Sequence, residues 1–380
     1  MRHATDASAN SGDIHQKVDP AAAADNEMFE ARGQLSALIY AFVTPCVLKA
    51  AVLLGIPDII ATNGKTDPDG ALSVHQISAQ LKSDSPREDY LERLLKHLVA
   101  KKVLKEIRDG RTGESKYGLT SMSNLLLKGR NGSSGAPMLL LLSEDWVQQS
   151  LQQIDKVVLE GGEAFVRAHG VGFWDYLEQK PAAQNLFGDA MANDSKAVLL
   201  GVIRNYHGFK EVKSMVDVAG NLGLAVGMIV QAYPHIQGFN YDRPHIIAHA
   251  PIIPGVEHVA GDMFKRVPTA DAIFLKHIMH DWDDELCMKI LQNCYRALPE
   301  NGRVLIVDIV LGYGGVNHPL AGIRAHRDVL MLCTQSGGRE RSQDDWQQLL
   351  ETSGFSHMKF IELPTPECLI EAFKPTKLEQ

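Results

Sequence analysis

The stretch 274-FLKHIMHDWDDE-285 gathers two histidines, a lysine and four acids after an apolar run. An imidazole with a pKa of about 6.5 can take the proton of a phenolic hydroxyl of pKa about 10 when its departure is coupled to attack on an electrophile. His280 follows a strand-like segment and would stand at the end of that strand, where a general base can meet a substrate. A lone histidine would more often be a core or helix-starting residue, so the surroundings of His280 decide. The same cluster invites a metal reading through His280, Asp281, Asp283, Asp284 and Glu285. Consecutive helical residues point around the cylinder rather than to one centre. Asp283 to Glu285 fit the first turn of a helix, where acids complement the dipole, so no metal is expected.

A second stretch, 216-VDVAGNLGLAVGMIVQAYPHIQGFNYDRPH-245, outlines a nucleotide site: a strand carrying Asp217, a glycine loop, a helical segment and a second strand ending in Asp242. Asp242 follows the loop by about 20 residues, the spacing at which an acid accepts hydrogen bonds from ribose hydroxyls. The dinucleotide fingerprint GxGxxG is absent, because Gly220, Gly223 and Gly227 are never separated by a single residue. Asp217 beside the loop favours a cationic ligand group over a pyrophosphate. The pair points to S-adenosylmethionine, with its sulfonium and amino group. Within the loop, Ala219 disfavours positive φ but accepts strand geometry, Asn221 suits a left-handed turn, and Leu222 stands where a hydroxyl could cap the helix.

The elements that must position these groups are legible in the hydropathy pattern. From Val216 onward, strand-like runs alternate with amphipathic helices: 214-SMVDVA-219, 236-IQGFNYD-242, 256-VEHVAGD-262, 271-DAIFLKH-277, 303-RVLIVDIVL-311 and 356-SHMKFIEL-363. Runs buried on both faces and separated by helices predict an α/β fold with a mostly parallel, doubly wound sheet. Ligands then sit past the carboxyl ends of the strands near the switch point, and Asp217, Asp242 and Asp262 all fall there. Upstream, Leu91, Leu94, Leu95, Leu98 and Val99 recur at helical spacing. The alternating 103-VLKEI-107 and 116-KYGLT-120 flank a turn-rich segment, which predicts a winged helix. Residues 71–120 carry ten Lys/Arg against seven Asp/Glu, interleaved, too sparse a basic face for phosphate binding. With a net charge of -8 for the chain, nucleic acid and anionic membrane are excluded as main partners.

The 380 residues divide into a tail (1–26), a winged-helix-like domain (27–130), a helical connecting region (131–212) and a Rossmann-like domain (213–380). In the third region Trp146, Leu151, Ile154, Val157 and Val158 are read as one apolar helix face closed by Gly161 and Gly162. The segment 35-LSALIYAFVTPCVLKAAVLLGI-56 is long enough to span a bilayer, but Lys49 and Pro45 favour two buried helices meeting at Pro45. Five cysteines without a CxxC, and no secretory or lipidation signal, imply a reduced cytoplasmic setting. Cys287 and Cys294, seven apart, are expected in the core.

Four segments, 239-FNYDRPHII-247, 254-PGVEHVAGDMF-264, 274-FLKHIMHDWDDE-285 and 337-GGRERSQDDW-346, carry a resemblance to the plant-type small-molecule O-methyltransferases of the caffeic acid and flavonoid group. It extends over about residues 28 to 375. The resemblance implies a winged-helix dimerisation domain swapped against a Rossmann-like methyltransferase domain, a homodimer through the N-terminal helices, and metal-independent chemistry. It implies His280 as base, oriented by Glu340 and Asp308. It assigns Asp217, Gly220 and Ser195 to the methionine end of S-adenosylmethionine, Asp242 to the ribose, Asp262 and Met263 to the adenine, and Lys276 to the ribose and adenine neighbourhood. The acceptor, a small aromatic hydroxyl compound, would be lined by Trp174, Met191, Asp194, Met331 and Gln335. The family's loop reads DVGGGTG where this chain has DVAGNLG. Asp194 replaces a frequent histidine or neutral group and favours a cationic or hydrogen-bond-donating acceptor. N-methylation of an amine, and a non-methylating reaction, stay open beside O-methylation.

Overall fold

The computed structural model describes residues 20–110, 112–129 and 134–376, with side chains from residue 25. Residues 1–19 of the expected tail lie outside this range. The remainder of that tail is helical, since a helix runs over Pro20–Ile39. The chain breaks at Tyr40–Phe42 and resumes as Val43–Leu53, so Pro45 sits inside the first turn of the second helix rather than at the junction. A proline there forfeits only a hydrogen bond the first turn lacks anyway. Burial is divided between them: Leu38, Ile39, Tyr40 and Phe42 are all more than half exposed, whereas Ala51 and Val52 of the second helix are buried. Lys49 reaches across to the Ser143 carbonyl at 3.0 Å, tying the second helix to the connecting region.

The winged-helix expectation holds in outline. Strand β1 (Ala71–Ser73) pairs antiparallel with β3 (Ser115–Leu119), which pairs with β2 (Leu104–Arg108). Leu91, Leu95 and Leu98 of helix Glu88–Ala100, one face at three- and four-residue spacing, pack with Ile56, Ile60 and Tyr117. In the connecting region the expected single apolar face divides. Helices Asp145–Leu151 and Ile154–Glu160 are separate, and Val158 is 73% exposed. Trp146 instead joins Phe165, Phe173 and Tyr176 in an aromatic cluster with centroids about 5.3–6.2 Å apart.

The second sheet contains β4 (Ser214–Val218), β5 (Gln237–Asp242), β6 (Val256–Ala260), β7 (Ala272–Lys276), β8 (Arg303–Leu311), β10 (Ser356–Glu362) and β11 (Glu367–Phe373), with the short β9 (Arg341–Ser342) beside β8. The order is β10-β11-β8-β7-β4-β5-β6. Strands β4 to β8 run parallel, and β11 lies antiparallel between β8 and β10. Strand β11 escaped the sequence reading because Glu367 opens it and Glu371 interrupts its apolar run. The chain moves outward from β4 to β6 and then crosses back to β7, so the switch point lies between the carboxyl ends of β4 and β7.

Alternation along the strands gives the sheet two apolar faces. On one, Val216, Leu275, Ile306 and Ile370 pack with Cys287 and Cys294, both fully buried as expected. On the other, Met215, Phe274, Leu305 and Leu369 pack with helices Pro181–Asn205 and Leu224–Ala232. Polar residues at the carboxyl edge inherit the same alternation.

Candidate active site

His280 lies in a single 3-10 turn, Met279–Asp281, just beyond β7. The turn is clamped by Arg341, itself wholly buried, which donates to the carbonyls of Met279 and Trp282 at 2.9 Å each and pairs with Asp284 at 2.7 Å. Arg339 N–H donates to the His280 carbonyl at 2.9 Å. A Cβ on Gly338 would stand 2.9 Å from that carbonyl, so the close passage of the two backbones needs glycine.

His280 is 5% exposed. Its Nδ1 is 3.0 Å from Glu340 Oε1 and 3.5 Å from Asp308 Oδ1, so Glu340 is the hydrogen-bond partner and Asp308 contributes charge. Glu340 is held in turn by its own N–H donating to Asp328 at 2.9 Å. Burial pulls the His280 pKa down, but the carboxylates of Asp308 and Glu340 outweigh it and hold it up at about 9. Burial pushes Asp308 up to about 7 against the pull of His280, and neither of its oxygens has a hydrogen-bond partner among the described residues. Asp281, 3.6 Å from His280 Nε2, is likewise raised by burial to about 6. Asp283 caps the next helix by accepting from Leu286 N–H, and Asp284 pairs with Arg339 and Arg341. These acids do not turn toward His280. Ligand atoms of His280, Asp308 and Glu340 do lie within 4.8 Å of one another.

The β4–β5 loop answers how DVAGNLG folds. Ala219 adopts φ 55°, Asn221 φ 53° and Gly223 φ 85°. Asn221 behaves as expected for a left-handed turn. Ala219 does not keep strand geometry and instead accepts the left-handed conformation, which costs roughly 1–2 kcal/mol for a residue with a Cβ. The loop is held there because Ala219 N–H donates to the Tyr241 carbonyl and Asn221 N–H to Asp242 Oδ2, both at 2.8 Å. Leu222 is half exposed and precedes Gly223, which is itself the cap, so a hydroxyl at 222 would not have capped the helix. Gly220 has an ordinary φ, but its Cβ would fall 2.3 Å from Asn240 Oδ1 and 2.6 Å from Asp217 Oδ2.

Of the remaining residues named from the sequence, Asp217, Asp242 and Asp262 lie at or just past the carboxyl ends of β4, β5 and β6. Asp217 is 2% exposed and accepts from Val226 N–H at 3.2 Å. Burial pushes its pKa up to about 7 against that bond and the Lys276 charge. Asp242 already accepts from Asn221 and Arg243 N–H, leaving lone pairs for a diol. Asp262 accepts from Phe264 N–H and lines a cavity of about 650 Å³ with Tyr241, Arg243 and Glu178. Met263 packs half-buried on the core. Ser195 is buried in helix Pro181–Asn205. Met191 borders the aromatic cluster. Trp174 lies edge-on to Phe173 and Phe187, with centroids 5.1 and 5.7 Å away. Met331 and Gln335 are buried at the end of helix Ala321–Thr334. Asp194 does not face the pocket alone, because its carboxylate approaches His277 at 3.7 Å and Arg327 at 4.0 Å.

These comparisons give the architecture its family. An O-methyltransferase domain matches residues 147–356, and an O-methyltransferase dimerisation domain matches residues 36–129. The chain belongs to the O-methyltransferase family. A caffeic acid 3-O-methyltransferase of Capsicum annuum is 38% identical over 324 residues, covering 84% of this chain and 89% of the relative. An anthranilate N-methyltransferase of Ruta graveolens is 37% identical over 337 residues, covering 88% and 91%. Human N-acetylserotonin methyltransferase, solved in complex with SAM, shares the fold with a TM-score of 0.77 at 22% identity, over 96% of this chain and all of that one. The protein is thus an S-adenosylmethionine-dependent O-methyltransferase.

The site fits that cofactor. A buried carboxylate with one N–H donor, Asp217, needs a cation, and Gly220 keeps the space above it free of a side chain. Sequence reasoning missed Arg327, Glu367 and the role of His277, although His277 lies three residues before His280 in a segment singled out at the start. Glu367 was missed because β11 was missed.

Proposed function

We propose that the protein transfers a methyl group from S-adenosylmethionine to a hydroxyl of a small aromatic acceptor, of the phenolic, phenylpropanoid, flavonoid or alkaloid kind, with His280 as base. The observation that carries this reading is the His280–Glu340 pair: Nδ1 is committed to a carboxylate at 3.0 Å, which fixes the tautomer and leaves Nε2 for the acceptor. When bound, the cofactor supplies a sulfonium methyl carbon; the carbon–sulfur bond breaks as the oxygen–carbon bond forms, leaving the thioether S-adenosylhomocysteine.

The chain's own residues do the rest. His280 receives the hydroxyl proton on Nε2, and Glu340 with Asp308 stabilises the imidazolium that results. Moving a proton from a phenol of pKa about 10 to an imidazole held at about 9 costs about 1.4 kcal/mol, a small part of a methyl-transfer barrier. Positioning supplies the larger share. Asp217, Gly220 and Ser195 take the methionine end, Asp242 the ribose, Asp262 and Met263 the adenine, and Lys276 the adjoining contacts. Trp174, Met191, Met331 and Gln335 wall the acceptor, with Asp194 as its polar member. The exposed apolar residues of the N-terminal helices form the homodimer contact.

One observation favours a second reading. An imidazole held at about 9 is mostly protonated at neutral pH, whereas a neutral amine attacks without surrendering a proton first. N-methylation would therefore survive loss of His280. The test begins with calorimetric titration by S-adenosylmethionine and S-adenosylhomocysteine, where micromolar binding is expected and none up to millimolar would overturn the reading. Methylation of phenols and anilines by the wild type and His280→Ala follows. Full O-methylation by the variant would remove His280 from the role of base.

A further inference from the structure

A lysine that could neutralise Asp217 stands beside it. Asp217 of β4 pairs in register with Phe274 of β7, and Lys276 lies two residues further along β7. Alternation therefore puts both side chains on the face covered by helices Pro181–Asn205 and Leu224–Ala232, with Met215 and Phe274. Diagonal neighbours on one face of a sheet are within reach of a long side chain. Among the described residues, however, no ion pair joins the two. Asp217 accepts from Val226 N–H, and Lys276 Nζ has one hydrogen-bond partner, His277 Nδ1 at 3.1 Å.

His277 meets that amine by departing from strand geometry. Alternation would send its ring with Ile273 and Leu275 to the opposite face, where Ile306 and Val310 flank Asp308. At φ 55° the ring meets the Asp217 face instead. There its Nε2 lies 3.1 Å from Oε1 of Glu367, which shares that face with Leu369. The ring also stacks on His280, with centroids 5.3 Å apart and planes 20° from parallel. A left-handed backbone is unfavourable for a ring-bearing residue and persists where its surroundings over-determine it. Glu367 is part of that constraint. A carboxylate only accepts, so Nε2 carries the proton and Nδ1 offers its lone pair to the lysine. Burial and the Lys276 and Arg327 charges hold the His277 pKa well down, which keeps that lone pair free.

The acids around Lys276 differ in what else they have. Arg327, from helix Ala321–Thr334, lies 4.0 Å from Asp194 and 3.7 Å from Glu367, and His280 faces Asp308. Among the described residues Asp217 has no cation near it other than Lys276. Burial lowers the Lys276 pKa against the attraction of Asp194, Glu367, Asp217 and Asp308. A lysine released by His277 would turn to Asp217, because an unpaired buried carboxylate is the costly partner to leave alone.

We infer that His277, fixed by Glu367, is a positioning residue that holds the Lys276 amine away from Asp217 and so keeps that carboxylate open for the cationic end of S-adenosylmethionine. The inference rests on the assignment of Asp217 to the methionine end. The held lysine keeps two N–H groups for the ribose and adenine contacts assigned to it. A lysine paired with Asp217 would have to be displaced by the cofactor, and affinity falls in proportion to the fraction of molecules in that closed pairing.

The readout is the affinity for S-adenosylmethionine divided by that for adenosine, which keeps the ribose and adenine contacts and carries no cation. Both ligands are titrated calorimetrically into the full chain as wild type, His277→Phe, Lys276→Met and His277→Phe/Lys276→Met. Phenylalanine keeps a ring against His280 and removes both nitrogens. In His277→Phe the ratio should fall about tenfold, the worth of a hydrogen bond to a charged group. Lys276→Met should leave it at or above the wild-type value. The double variant should restore it, a rescue that a merely structural histidine would not show. If His277→Phe folds poorly because Glu367 loses its donor, His277→Phe/Glu367→Leu is read in the same way, with and without Lys276→Met. A ratio unchanged by loss of His277, or one that falls and is not restored by Lys276→Met, would overturn the inference. Asp217→Asn is titrated alongside and should lower the ratio at least as far. If it does not, the Asp217 assignment fails and the inference falls with it. If it does while His277→Phe changes nothing, the assignment stands and the inference alone is overturned.

Discussion

The two histidines at the carboxyl edge share a strand end, a depth of burial and a stacking contact, yet their surroundings drive them to opposite charge states. His280 faces Glu340 and Asp308 with no compensating cation closer than the carboxylates, and it is held up at about 9. His277 faces Glu367 but also Lys276 and Arg327, and burial together with those charges holds it well down. One imidazole stores a proton and the other does not. Burial alone therefore does not make a base, and the balance of fixed charge around equally buried rings separates a proton acceptor from a hydrogen-bonding strut.

The sharpest way to break this comparison is to remove each ring. His280→Ala should lower kcat/KM for a phenolic acceptor on the order of 10²–10⁴-fold, the usual worth of a positioned base. His277→Ala should lower it only about fivefold, the size of one ordinary hydrogen bond. It should instead cost about 1–3 kcal/mol of stability, because Glu367 loses its donor inside the protein. Steady-state kinetics with chemical denaturation of both variants decides, and equal losses of activity would show that the two rings work as one unit.

A pH profile separates the rings next. The His280 pKa is raised, so the neutral base is scarce at pH 7 and accumulates as pH rises toward about 9. The value of kcat/KM for a phenol should climb roughly tenfold per unit from neutrality and level near that pH. Glu340→Gln and Asp308→Asn each remove a carboxylate that holds the pKa up, so both should move the plateau to lower pH. Glu340→Gln should also lower the plateau rate, because it alone makes the 3.0 Å bond that aims the ring, whereas Asp308 at 3.5 Å acts through charge. A plateau that stays in place in both variants would mean that another group titrates.

How much of this was readable beforehand follows from the range of the forces involved. His280, Asp217 and Asp242 sit at strand ends, and strands announce themselves by local hydropathy, so their neighbourhood could be placed from sequence. The preference for Glu340 over Asp308 is half legible, since an aspartate reaches one methylene less than a glutamate, and the fold supplies the distances, 3.0 Å against 3.5 Å. The His277 cluster was invisible for a different reason. Its members come from residues 194, 277, 327 and 367, and Glu367 belongs to a strand whose acids at positions 367 and 371 disguised it. The first helix and the turn after it are the reverse case: their composition reads as core, and only the fold shows that Leu38, Ile39, Tyr40 and Phe42 stay exposed among the described residues.

The smallest effect concerns the loop that set the cofactor question. Ala219 holds φ 55° because the bonds from its own N–H and from Asn221 N–H over-determine the turn. Glycine at 219 would remove a left-handed penalty of about 1–2 kcal/mol and would add about 0.4–1 kcal/mol of unfolded-state entropy against it. Ala219→Gly should therefore stabilise the protein by up to about 1.6 kcal/mol, a Tm rise of no more than about 2 °C in a chain this long. Asn221→Gly should do less, since asparagine tolerates that backbone. Calorimetric unfolding of both variants, with S-adenosylhomocysteine titration beside it, measures the difference. Ala219→Gly should bind the cofactor at least as tightly as the wild type because the loop geometry is unchanged. A weaker affinity would mean that the methyl group of Ala219 makes a contact with the cofactor, and the strain would then be part of the binding site rather than a cost borne by it.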